Sequence, residues 1–139
     1  MTADIAARVE KIAASIDTIE RAYEYMLAYA AQGRVEDEGP FASIREHLGE
    51  VDKALVSIAA ATVQNLGLEK EPTAASLGAF LEILRGDVAR ALTLFRLAAA
   101  QPAIASQTID NLNASIHVRT LLTDLFILDE TLKRFRSLV

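Results

Sequence analysis

Residues 5–32 read IAARVEKIAASIDTIERAYEYMLAYAAQ. Ile5, Val9, Ile12, Ile16, Ile19, Tyr23, Met26 and Ala30 follow one another in alternating steps of four and three. That spacing lays one apolar stripe along a helix in a heptad a/d pattern. No proline or glycine interrupts it, so the spacing predicts a helix over about residues 3–32. Thr2 or Asp4 is suited to cap its start, and Gly33 to close its end. All three tyrosines of the chain, Tyr23, Tyr25 and Tyr29, lie in this helix. Tyr23 falls on the stripe and reads as core. Tyr25 and Tyr29 fall off it, on a shared outer side.

The same rule extends along the chain. Glu36 to Gly39 reads as an acidic turn, and Pro40 suits the first position of a second helix over about 40–66. Its stripe is Phe41, Ile44, Leu48, Val51, Leu55 and Ile58; the next position is the polar Thr62, and Gly67 ends it. A third helix, about 74–100, carries Leu77, Leu81, Leu84, Val88, Ala91, Phe95 and Ala98, and Gln101-Pro102 stops it. A fourth runs from about 103 to 138 with Val118, Leu121, Leu125, Leu128, Leu132 and Phe135. Four helices with mostly short connections predict an all-α, single-domain antiparallel four-helix bundle over residues 1–139, running up-down-up-down. Exchange of helical hairpins between two chains is the alternative arrangement, because the second link is long enough for either.

Composition agrees. Of 139 residues, 25 are alanine, the residue that loses least on entering a helix. The apolar and charged shares, 52% and 24%, are those of a folded globular chain. A net charge of −5 opposes nucleic-acid phosphates and anionic membranes. The basic cluster Lys133, Arg134 and Arg136 suits the negative end of the last helix dipole. The absence of cysteine excludes disulfides, thiolate chemistry and cysteine-held metals. No apolar run nears the roughly 20 residues of a membrane span. Nothing at the N-terminus resembles a signal peptide, so the expected location is the cytoplasm.

The stripes leave apolar residues over. Phe126 and Ile127 fall outside the last stripe, Ile83 and Leu97 outside the third, and Phe80 and Leu94 beside it. Recurrent outward apolar residues mark an interface, which predicts a homodimer or larger symmetric oligomer. Tyr25 and Tyr29, with the acidic turn Glu36 to Glu38 and Arg34 as a polar anchor, are expected to present an interaction surface, since tyrosine gives contact area at low entropic cost. Phe126 and Ile127 are the expected self-association contacts.

Chemistry is thinly represented. Glu46, His47 and Glu50 share a face of the second helix. Counting from the turns puts Tyr25 level with both His47 and His117, so those residues could form a polar layer holding a small ligand or a metal. The Glu-x-x-His pattern of di-iron bundles does not occur, and no cofactor is expected. The stretch HLGEV, from His47 to Val51, is similar over a few residues to the His-x-Leu-Lys-Gly motif of histidine phosphotransfer domains; the lysine is missing and the glycine is displaced. No Gly-x-Ser-x-Gly elbow, triad context or phosphate-binding glycine loop is found. The chain therefore reads as a non-catalytic interaction module (adaptor, regulator or assembly factor) that recognises itself and another protein.

Overall fold

A computed structural model describes residues 2–35 and 43–136. The described chain is all-helical: α1 (Thr2–Ala30), α2 (Ile44–Ala59), α3 (Val63–Leu66), α4 (Ala74–Ala99), α5 (Ser106–Ala114) and α6 (Ile116–Arg136). None of these helices is long and apolar enough to cross a membrane. The acidic turn Glu36 to Glu38, Pro40 and Phe41 lie outside the described residues.

The heptad stripes go inward. Ile44, Leu48, Val51, Leu55 and Ile58 of α2 are buried, as are Leu77, Leu81, Leu84, Val88, Ala91, Phe95 and Ala98 of α4. The six stripe residues of α6 are buried as well. They join Val9, Ile12, Ile16, Ile19 and Met26 of α1 in one continuous core. α1 packs against α2, α5 and α6, and α4 packs against the same three helices. Side chains also tie the layers at the surface: Arg96 of α4 holds Asp52 of α2 through Nε at 2.7 Å and Nη2 at 3.1 Å. Arg45 of α2 donates to the carbonyls of Ala99, which ends α4, and Gln101 just beyond it.

Two of the four expected helices are broken. The second stops at Ala59, where its stripe reaches the polar Thr62. Thr62 instead caps a new one-turn helix, α3. Asn65 N–H donates to Thr62 Oγ1 at 3.0 Å, and Thr62 N–H donates to Asn65 Oδ1 at 2.8 Å. The reciprocal pair is a capping box. Gly67 then turns the chain at φ 77°. Carbonyls freed by the break are taken up, since Arg85 donates from Nε to Ala59 and from Nη2 to Ala61, both at 3.1 Å.

The fourth helix divides at Ser115, which is extended at φ −61°, ψ 133°. Ser115 ends α5 and caps α6, accepting His117 N–H on its Oγ at 3.2 Å and Arg119 N–H on its carbonyl at 3.1 Å. The break frees α5 to lie along the C-terminal part of α1, which turns a different side of α1 inward there. Ala22 and Tyr29 are buried, whereas the stripe residues Tyr23 and Ala30 are half-buried.

Candidate functional site

The expected interaction surface on α1 is corrected by that rotation. Tyr29 is 1% exposed. Its hydroxyl donates to the Ile104 carbonyl ahead of α5, and its own carbonyl accepts from Ser106 Oγ at 2.7 Å. Ser106 is itself buried. Its Oγ accepts Arg34 N–H at 2.8 Å, and its N–H donates to the Arg34 carbonyl at 2.9 Å. The Arg34 guanidinium lies 5.4 Å from the centre of the Tyr29 ring. Tyr29, Arg34 and Ser106 thus join α1 to α5. Tyr29 and Arg34 are a structural fastening, not a free face.

Tyr25 is half-buried and stacks on His47 with ring centres 3.8 Å apart and planes 4° apart. It also lies 6.3 Å from the Tyr29 ring. His47 Nδ1 sits 2.8 Å from the Ser43 carbonyl and donates to it, which fixes the ring's orientation. The level placement of Tyr25 and His47 is therefore as counted from the turn. The rest of the expected polar layer does not assemble: His117 is exposed at the start of α6, and Glu46 and Glu50 are exposed on α2. Among the described residues no group of three or more His, Asp or Glu side chains is placed to hold a metal ion.

One polar pair escaped sequence reading. Asp124 of α6 is 8% exposed and faces Asp87 of α4. Burial, and then the neighbouring Asp87 carboxylate, push the Asp124 carboxyl up to about 7. As an anion its Oδ2 has no hydrogen-bond partner. A proton on Asp124 supplies the missing donor to Asp87, which keeps Arg90 Nη1 at 3.6 Å. The available signal was an acid one residue from the stripe position Leu125, a turn from Leu121 and Leu128. Periodicity names no partner for it, because Asp87 lies on another helix.

Phe126 and Ile127 are 58% and 48% exposed, as their off-stripe positions predict. Ile83 and Leu97 of α4 are more exposed still, at 61% and 60%. A groove of about 330 Å³ lies between α4 and α5, lined by Leu94, Leu97, Leu112 and Ser115 among others. These exposed apolar side chains and the groove beside them are the candidate surface among the described residues. Comparison with protein-family models, with curated proteins and with solved structures finds no match for this chain.

Proposed function

We propose that this chain is a small, non-catalytic interaction module that works as a homo-oligomer in the cytoplasm. Its fold on this reading is an antiparallel up-down-up-down bundle. α1, α2 and α4 supply three arms, α5 and α6 together supply the fourth, and α3 belongs to the link. The observation that carries the proposal is the set of large apolar side chains left outside the continuous core. Ile83, Leu97, Phe126 and Ile127 are each about half exposed or more, and large apolar side chains left in water on two helices favour a second surface that covers them. Sedimentation velocity across a wide concentration range tests it. The expected result is a species of two or more chains; a single-chain species at every concentration sinks the proposal.

One observation favours a second reading. The Tyr25–His47 ring stack supports a small ligand or a metal at that layer, without His117. Native mass spectrometry checks it: an added mass lost on His47→Ala supports this reading, and an added mass that persists refers it elsewhere.

A further inference from the structure

α4 carries a second stripe besides the one it buries. Phe80, Ile83, Asp87, Arg90, Leu94 and Leu97 step by three, four, three, four and three. Phe80 and Leu94 are half-buried at the edge of the core, and Ile83, Arg90 and Leu97 are exposed. On its outer flank every seventh residue is small: Ala79, Gly86, Thr93 and Ala100. Of the long side chains, the end of Arg90 reaches over this flank at Gly86.

The stripe is also a palindrome in chemical character: apolar, apolar, acid, base, apolar, apolar. Run two copies antiparallel about a two-fold axis passing between Val88 and Ala89. Phe80 then meets Leu97, Ile83 meets Leu94, and Asp87 meets Arg90, each pair occurring twice as an isologous contact requires. We propose that two copies of this chain dock α4 against α4 in this antiparallel register. The proposal rests on the homo-oligomer reading above and specifies its face and symmetry.

The two charges select the arrangement. A parallel pair in register sets Asp87 against Asp87 and Arg90 against Arg90. An antiparallel pair slipped by one heptad sets Asp87 and Arg90 against apolar side chains and leaves them only their own intrachain pairing, Arg90 Nη1 to Asp87 at 3.6 Å. Only the palindromic register gives every Asp87 an Arg90 from the other copy, so the central layer acts as a register device as well as an attraction. The flank fits the same geometry, since Gly86 of one copy lies beside Thr93 of the other. Within the chain, a Cβ on Gly86 meets only the end of the Arg90 side chain, at 3.3 Å. Core packing therefore does not call for glycine, whereas close approach of a second helix does. The groove beside Leu94 and Leu97 is placed to receive Phe80 and Ile83 of the second copy.

Charge exchange tests this. Asp87→Arg alone makes the central layer all cationic in a homodimer, and Arg90→Asp alone makes it all anionic. Each variant alone is expected to weaken self-association at least about tenfold by sedimentation velocity. An equimolar mixture is expected to restore a two-chain species containing one copy of each by native mass spectrometry, which also shows that both variants fold. If the wild type and both variants assemble equally well, this face is wrong while the homo-oligomer reading stands; Phe126→Glu then becomes the disruptive change. If the wild type is a single chain throughout, both fall. A second measurement is independent of charge. The chain has no cysteine of its own, so Ile83→Cys with Leu94→Cys is expected to give a covalently linked pair on oxidation, whereas Ile83→Cys alone is not. A double variant that stays unlinked overturns the register.

Discussion

Tyr29 and Asp124 are both polar side chains taken out of water, and they meet that problem in opposite ways. Tyr29 finds a fixed acceptor, the Ile104 carbonyl. Tyr29→Phe keeps the ring and orphans a buried carbonyl, so urea unfolding is expected to show a loss of about 1–2 kcal/mol. Asp124 has instead another carboxylate for a neighbour, and it holds its proton to about pH 7. In the unfolded chain the same group ionises at its ordinary value of 3.8. Between those two pH values the native state binds a proton that the unfolded state lacks, so this group makes stability fall as pH rises from about 4 to 7 and level off above. Glu20 is raised too, first by burial and then by Asp17, Asp129 and Glu24, and acts in the same direction. Asp52 is lowered by its hydrogen bond to Arg96 and acts oppositely, losing its contribution as pH drops through the acid range. Asp124→Asn isolates the dyad: the amide donates to Asp87 without a proton from solvent. Its expected signature is a gain of about 1–2 kcal/mol at pH 8 and a flatter stability profile between pH 4 and 7. An unchanged profile would show that Asp124 is ionised in the native protein.

The helices follow from periodicity, and their breaks from single polar residues. Thr62 occupies a stripe position where an apolar side chain would have carried α2 onward, and its pairing with Asn65 starts a new helix instead. Thr62→Ala removes the cap and is expected to destabilise the protein by about 1 kcal/mol in denaturant titration. Asn65→Ala added to it should cost less than Asn65→Ala alone, because the capping box is already broken and what remains to lose is the bond from Asn65 Nδ2 to the Ala60 carbonyl at 2.8 Å. Gly67 is a stricter case. Its φ of 77° is left-handed, and a Cβ there would lie 3.3 Å from both Arg8 Nη1 and Ile5 Cγ1. Gly67→Ala is expected to cost at least about 1–2 kcal/mol on backbone grounds. Thr62 was visible in the sequence as a weak point of the stripe. Ser115 was not, since both sides of it read as plausible helix and its extended ψ of 133° leaves no mark on the apolar spacing.

At the scale of the whole molecule, the proposed α4–α4 pairing predicts a concentration-dependent stability. If folding and pairing are linked, the apparent melting temperature should rise as protein concentration is raised over about a hundredfold range, measured by circular dichroism. Asp87→Arg, which pairs poorly with itself, should abolish that dependence. The sequence alone established the helical class, the inward stripes of α2, α4 and α6 and the outward placement of Phe126 and Ile127. These depend on spacing along one helix, and a helix's own geometry turns spacing into faces. It misplaced Tyr29 and missed the Asp87–Asp124 dyad. Both depend on which side of a helix its neighbours cover, and that follows from the break at Ser115 and the docking of α5 and α6. The six residues of the outer α4 stripe were present in the sequence throughout. Tertiary packing left Ile83, Arg90 and Leu97 exposed and Phe80, Asp87 and Leu94 half-buried, because it used the other side of α4 to fill the core.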